Sequence, residues 1–372
     1  MVHDQVSGSV AGSAVPEDGD SATPTDLLTP ELLLRPRRHA APAGGWRRML
    51  YQVTGGIVRP GESPEEVHRR RLIGLARTPV AGGHHRVAVL SLKGGVGKTT
   101  TAVGMGAMLS SVRGDRVIAL DANPDRGTLS DRVRLETTAT VRDLLTKFVA
   151  MDKPRYADVR AFTSQSASSR LEILASSRDP AVSKAFSADD YRAVATLLEY
   201  YYSICITDCG TGLLHSAMSA TLELAHQIVL VTVPSVAAAR SAGATLDWLE
   251  AHGRAELARS ATVVLSGVRH ESRSTVDTDA LRRHFGERCR TVISVPFDPH
   301  LEEDSEVELD RLNPATYEAY LTLAATVGAA FSPQSHPLDE HEEPATPSPS
   351  EFFHPSELDD EVVHPGETVV AD

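Results

Sequence analysis

The feature that most constrains this chain is a glycine-rich segment, residues 93–100, placed between an apolar run and a stretch of helical composition. Residues 87–92 read VAVLSL, the segment itself reads KGGVGKTT, and TAVGMGAMLS follows. Glycines let backbone N–H groups approach phosphate oxygens, and a helix start adds unpaired donors and the positive end of its dipole. The segment therefore predicts a phosphate-binding loop at a strand-to-helix junction.

The side chains of this loop predict a magnesium nucleotide as ligand, with ATP as the expected one. Lys98 is placed to reach the β- and γ-phosphates, and the Thr99 hydroxyl to take a position on Mg²⁺. The usual spacing has a further glycine at position 92, where this chain has Leu92. The predicted nucleotide-binding residues are Lys93, Gly94, Gly95, Val96, Gly97, Lys98, Thr99 and Thr100.

Short apolar runs alternate with helical stretches from residue 86 onward. Continuous apolar strands separated by helices are typical of a doubly wound α/β domain, a mostly parallel sheet with helices on both faces. The predicted strands are residues 87–92, 116–120, 171–175, 204–208, 227–233, 262–268 and 291–295. The predicted helices are residues 99–112, 187–200, 213–225, 236–251, 278–285 and 314–330.

Composition divides the chain into four segments. Residues 1–34, rich in Ser, Gly, Pro, Asp and Thr, are expected to be disordered. Residues 35–85 form a basic, arginine-rich arm, in which Ser63-Pro64-Glu65-Glu66 predicts the start of a short helix. Residues 86–331 form the predicted nucleotide-binding domain. Residues 332–372, which carry eleven acidic residues and no Lys or Arg, are expected to be an acidic disordered tail.

Apolar patterning and cysteine content together favour a cytoplasmic location. The sequence has no run of eighteen apolar residues, and its first twenty residues lack the apolar core of a signal peptide. Cys205, Cys209 and Cys289 are few and scattered, which does not fit a disulfide framework or a zinc site. Such cysteine usage is typical of a reducing compartment.

Lys93 adds a second lysine at the start of the loop, and with it the chain resembles the deviant Walker A ATPases, the group of MinD and ParA. In that family two protomers enclose two nucleotides, and the first lysine reaches the phosphates held by the partner. The resemblance therefore implies a nucleotide-dependent homodimer in which Lys93 acts across the interface. The strand at residues 203–208 ends in Asp208 as a Walker B strand does, which implies that Asp208 holds Mg²⁺.

Residues 121–127, DANPDRG, stand in the place of switch I, where relatives usually read D-x-D-P. Asp121 matches the first acid, whereas the second, which orients the attacking water in relatives, is Asn123. An amide can position water but cannot accept its proton, so the resemblance implies slow ATP hydrolysis. The candidate catalytic residues are Lys93, Lys98, Asp121 and Asn123, with Asp125 as a substitute for the missing acid.

The loop at residues 295–298, VPFD, matches a loop that edges the nucleotide in relatives. Pro296 is therefore expected to pack against adenine. The Asn that relatives carry after the preceding strand is replaced by Ser266, so the preference for adenine over other bases stays open.

Segments before the first predicted strand resemble those of a smaller group within this family. GWRR at residues 45–48 and RTP at residues 77–79, taken with the switch I segment, are similar to the EspI-like ATPases that accompany actinobacterial type VII (ESX) secretion systems. This resemblance covers residues 45–331. It implies an accessory or regulatory ATPase whose partners are secretion components.

Two other functions stay open at this point. A ParA-type partition ATPase would bind DNA non-specifically, and the arginines of residues 35–85 supply charges suited to phosphates. An interaction module that binds nucleotide without turnover is also consistent with Asn123. Direct membrane insertion is disfavoured, because it needs a basic amphipathic helix and the end of this chain is acidic and broken by proline.

Overall fold

The computed structural model describes residues 63–123, 127–149, 154–177, 186–269, 276–303 and 305–331. The predictions made for residues 1–62, for Asp125 and for the acidic tail, residues 332–372, lie outside these described residues.

The described residues form one sheet of eight strands in the order β3-β4-β2-β5-β1-β6-β7-β8. Every neighbouring pair is parallel except β3 and β4, which are antiparallel. This confirms the predicted mostly parallel, doubly wound sheet. The strands are β1 His85–Leu90, β2 Val117–Ala122, β3 Ser164–Gln165, β4 Glu172–Leu174, β5 Ile204–Cys209, β6 Gln227–Thr232, β7 Thr262–Val268 and β8 Thr291–Pro296.

Helices cover both faces of the sheet, because the central strands are apolar on both sides. Along β1, Val87 and Val89 pack into one core cluster, and the alternate residues Ala88 and Leu90 pack into another. The helices of the described residues are α1 Pro64–Ala76, α2 Lys98–Val112, α3 Val141–Val149, α4 Tyr156–Arg160, α5 Ala188–Glu199, α6 Ser216–Leu224, α7 Val236–Ala251, α8 Ala255–Arg259, α9 Thr278–Gly286, α10 Pro299–Glu302 and α11 Pro314–Gly328.

All six helices predicted after residue 86 are present, with ends that differ by at most three residues, and the helix expected to start near Ser63 is α1. The prediction missed the short strand β3 and the helices α3, α4, α8 and α10. Three of these helices have four or five residues, too few to show a helical repeat. None of the helices in the described residues combines the length and the apolar composition that a membrane span requires.

Helix α1 belongs to the same packed layer as α2 and α11. Its Leu72 and Ala76 are buried in the core cluster that these helices share. The Arg113 side chain, at the end of α2, donates a hydrogen bond to the Ala76 carbonyl at 2.7 Å. A Cβ on Gly328 of α11 would lie 2.5 Å from the carbonyl oxygen of Leu75, so α1 and α11 touch backbone to backbone. The described end of the predicted basic arm is therefore packed against the nucleotide-binding domain.

Candidate nucleotide-binding site

The predicted site residues lie at one edge of the sheet, where the parallel strands end. In α/β sheets of this kind, ligands bind outside the carboxyl ends of the strands. Here β5 lies between β1 and β2, and its register pairs Asp208 with Val89 on one side and with Asp121 on the other. The acid at the end of β2, the acid at the end of β5 and the loop that leaves β1 therefore meet at a single place.

The glycine-rich loop joins β1 to α2 as the sequence predicted. Gly95 and Gly97 have φ angles of 74° and 84°, in the left-handed region that favours glycine. A Cβ on Gly97 would also lie 2.8 Å from the Ser266 hydroxyl of β7, so this neighbour closes the loop on one side. Gly94 and Gly95 are exposed, and a Cβ on either would meet nothing within 4 Å. The loop thus presents an open backbone face toward solvent.

A buried ion pair links the loop to β5. The ammonium of Lys98 donates to Asp208 Oδ1 at 2.5 Å, and the hydroxyl of Thr99 donates to Asp208 Oδ2 at 2.6 Å. The side chains of Lys98 and Asp208 are only 9% and 1% exposed. Burial lowers the pKa of Lys98, but the negative charges of Asp208 and nearby acids more than offset this, so its pKa is raised and it stays protonated.

Asp121 is a second buried acid beside this pair. Its carboxylate accepts hydrogen bonds from the backbone N–H groups of Asn123 at 3.1 Å and Leu129 at 3.3 Å. Burial, and then the neighbouring charge of Asp208, raise the pKa of Asp121 to about 7. A Cβ on Gly127 would lie 2.1 Å from Asp121 Oδ2, so the chain that returns from switch I presses against this carboxyl group.

Lys93 lies at the outer end of the loop and is exposed. The Ser91 hydroxyl donates to the Lys93 carbonyl at 2.9 Å and accepts from its N–H at 3.2 Å, which fixes the backbone from which this lysine projects. Asn123 is half-buried at the start of the switch I segment, and its backbone contacts Asp121 as described above.

Pro296 ends β8 at the same edge, where it pairs with Val268 of β7. A register shift in β7 between Leu265 and Val268 accompanies the contact of Ser266 with the loop. Beyond it, the Arg269 guanidinium lies 3.7 Å from the centroid of the Phe297 ring. The structure therefore brings the β7 and β8 ends to the edge that carries the glycine-rich loop.

Sequence reasoning missed Thr128 and Gly127 as members of the site. The hydroxyls of Thr128 and Thr99 lie 2.9 Å apart. Thr128 therefore borders, on the switch I side, the position predicted for Mg²⁺ beside Thr99. A threonine after a turn carries no pattern of its own. Only the three-dimensional return of the chain toward Asp121 reveals its role.

The three cysteines in the described residues are buried and unbridged. Cys209 follows Asp208 directly, and burial raises the pKa of its thiol well above the usual range. A thiol that stays protonated is a poor nucleophile, so Cys209 acts as a small apolar residue of the core.

The donor set of this edge fits a magnesium nucleotide. Mg²⁺ prefers oxygen ligands, and the Thr99 hydroxyl and Asp208 carboxylate already converge within 2.6 Å. A protonated lysine and open glycine N–H groups suit the phosphates. Together, the doubly wound sheet and this loop define a P-loop nucleotide-binding fold.

Comparison with known proteins shows which family of nucleotide-binding proteins this chain belongs to. Residues 87–310 match the CobQ/CobB/MinD/ParA nucleotide binding domain, and the chain belongs to this family.

The chain is similar over most of its length to a secretion-associated protein. The ESX-1 secretion-associated protein EspI of Mycobacterium tuberculosis is 33% identical over 289 residues, which are 77% of this chain and 42% of that protein. The chain therefore spans less than half the length of this relative.

Solved structures share the fold. The ParA family ATPase from Chlorobium tepidum superposes with a TM-score of 0.55 at 18% identity, over 65% of this chain and 98% of that one. The septum site-determining protein MinD from Pyrococcus horikoshii, complexed with Mg-ADP, superposes with a TM-score of 0.51 at 21% identity, over 65% of this chain and 94% of that one.

The buried Lys98–Asp208 pair generates a prediction for the nucleotide-free protein. Lys98→Met should lower the free energy of unfolding by about 3–5 kcal/mol, because it leaves the Asp208 charge buried and uncompensated. Adding Asp208→Asn should recover most of that loss. Urea denaturation of the two single variants and the double variant measures this. Lys147→Met, on the exposed face of α3, is the control and should change stability by less than about 0.5 kcal/mol. Additive losses in the double variant would contradict the assignment.

Proposed function

We propose that this protein is an ATP-binding switch that hydrolyses ATP slowly, with Mg²⁺ as cofactor. The observation that carries the proposal is the convergence of the Lys98 ammonium and the Thr99 hydroxyl on the buried carboxylate of Asp208, directly below an open glycine-rich loop. Membership of the MinD/ParA family supports it, as does the Mg-ADP named with the MinD structure from Pyrococcus horikoshii.

Each residue of the site has a distinct task in this proposal. The N–H groups of the loop and the Lys98 ammonium would hold the phosphates, with Lys98 exchanging Asp208 for phosphate oxygens. Thr99 and Asp208 would hold Mg²⁺, which neutralises charge on the phosphates when it is bound. Asp121, beside Asp208, would organise the start of switch I through its contacts with the backbone of Asn123 and Leu129.

Nucleotide binding is tested by calorimetry on the purified chain. We expect MgATP to bind the parent and the Lys147→Met control equally. Lys98→Met/Asp208→Asn, which lacks the loop cation but leaves no uncompensated charge, should bind about ten- to a hundredfold more weakly. Chelating Mg²⁺ should weaken binding to the parent. A parent that binds no nucleotide at millimolar concentration, or a double variant that binds as tightly as the parent, would contradict the proposal.

Lys93 supports the proposal that two copies of the chain close over their nucleotides. Its side chain is exposed at the mouth of the loop, and Ser91 holds its backbone. We expect light scattering to show a dimer of the parent with a non-hydrolysable ATP analogue and a monomer without it. Lys93→Ala should bind the analogue but lose most of the dimer, whereas the matched control Lys147→Ala should keep it. Equal dimerisation of both variants would remove Lys93 from the interface.

Turnover is proposed to be slow because Asn123 holds the place of an acid in switch I. A carboxylate can accept the proton of an attacking water, and a positioned general base contributes roughly 10²–10⁴-fold to a rate. Asn123→Asp should therefore raise the single-turnover rate by at least about tenfold. The assay is quenched-flow or filter measurement of phosphate release, with Asn313→Asp, at the start of α11, as a control for added charge. An unchanged rate in the first variant would show that Asn123 does not limit hydrolysis.

The similarity to EspI supports an accessory or regulatory role in a type VII secretion system, exercised in the cytoplasm. The similarity extends over 289 residues, and the chain carries the family's nucleotide-binding domain, so a partner recognised through the nucleotide state is consistent with that role. Co-purification of secretion components with the parent in ATP, and its loss in Lys98→Met/Asp208→Asn, is the corresponding test. Recovery of no such component in either state would count against this role.

A further inference from the structure

A basic groove of about 550 Å³ lies at the C-terminal end of α2, the end opposite the nucleotide loop. Three segments that are distant in the chain each supply one arginine to its lining. Arg77 follows α1, Arg113 ends α2, and Arg170 lies in the turn between β3 and β4. The groove takes no part in the proposed nucleotide chemistry.

Two of these arginines, Arg77 and Arg170, are held in place by carbonyl groups at the end of α2. Arg77 Nε donates to the Val112 carbonyl at 2.6 Å, and Arg170 Nη2 donates to the carbonyls of Ser110 and Arg113 at 2.9 Å each. Cations at this position are favoured by the negative end of the helix dipole. These contacts fix the guanidinium groups while their planar faces and remaining N–H groups can still meet a ligand.

The charge of the groove is positive. Asp115 forms a bidentate pair with Arg113, at 2.6 and 2.7 Å, and so balances one arginine. Within the described residues, no carboxylate lies within ion-pair distance of Arg77 or Arg170. Arg170 also has a φ angle of 66°, a left-handed backbone conformation that costs energy in a residue with a side chain.

The chain itself supplies an occupant of matching charge. The last described residue is Phe331, whose ring centroid lies 5.1 Å from the Arg113 guanidinium and whose carbonyl accepts from the Ala81 N–H at 2.9 Å. Residues 332–372 follow, with eleven acidic residues and no Lys or Arg. The first acid, Asp339, is eight residues beyond Phe331, a span of up to about 26 Å when extended. The groove is within its reach.

We propose that the acidic segment, residues 332–372, docks in this groove through its carboxylates on Arg77 and Arg170. Exposed ion pairs are individually weak, so a single acidic ligand in solution would bind poorly. A tether that begins beside Arg113 gives the segment an effective concentration in the millimolar range, and its acids can exchange on the same two arginines. The groove shares no lining residue with the candidate nucleotide site.

The proposal is tested on the full chain by spin-label distance measurements. Labels are placed at Ser111→Cys, in the groove, and at Ser356→Cys, within the acidic segment; the three cysteines among the described residues are buried. An undocked tether of this length spans about 30 Å on average. At low salt we expect a narrow distance peak shorter than this value. The control pair, Leu214→Cys with Ser356→Cys, places one label on a side chain that is 89% exposed, after β5 at the nucleotide edge, and should give a long, broad distribution.

Charge variants identify the groove as the docking surface. Arg77→Gln/Arg170→Gln should abolish the short peak, and so should about 0.5 M salt, at which the screening length is about 4 Å. Arg282→Gln/Arg283→Gln, the same two changes on α9, should preserve it. If the double groove variant does not fold, Arg77→Gln alone should still reduce the short-distance population. No short peak in the parent, or a peak that survives both the groove variants and the salt, would overturn the proposal. Absence of the peak together with duplex DNA binding that depends on Arg77 and Arg170 would assign the groove to nucleic acid instead.

Discussion

The site depends on one buried ammonium placed among buried carboxylates. Lys98 contacts Asp208 directly, and Asp121 lies beside Asp208 in the neighbouring strand. Removing such groups from water is costly unless their charges compensate one another. The contact therefore requires β2, β5 and the start of α2 to hold a fixed register. A ligand that draws Lys98 away from Asp208 leaves that carboxylate without its positive partner. The proposed nucleotide would therefore need a divalent cation to take the place of the ammonium beside Asp208.

The fold could be predicted from sequence where periodicity extends over several residues. The central strands and the six long helices show it, because each buries a continuous apolar run or stripe. Strand β3 could not be predicted, since two polar residues carry no alternation. His85 shows another limit. It precedes the apolar run that starts at Val87, yet it is buried in β1 with its ring against those of Phe331 and His226. Burial, and then the charge of His226, lowers the pKa of His85 to about 3.

The candidate site could be predicted in part from the sequence. The carboxyl ends of parallel strands lie at one edge of a sheet, so residues that end such strands are expected to lie close together. Lys98 and Thr99 lie 110 and 109 residues before Asp208 in the sequence. The strand ends nevertheless bring both side chains into contact with the Asp208 carboxylate. Contacts made by loops were not predictable. The Ser266 hydroxyl lies against Gly97 at an irregularity in β7. The Thr128 hydroxyl contacts Thr99 because the chain returns from switch I toward the loop. Neither residue type has a signature at such a position.

Helix α2 connects the two charged ends of the domain. It begins at the phosphate-binding loop and ends at the arginine-lined groove, about 22 Å away for fifteen residues. Most of its side chains are buried, and Gly104 fits so closely against Tyr320 that a Cβ would lie 2.6 Å from the ring. A helix packed this tightly has little room to shift independently of its neighbours. A ligand in the groove and a nucleotide at the loop would lie too far apart to touch. Any influence of one on the other would have to act through the position of α2 between α11 and the sheet.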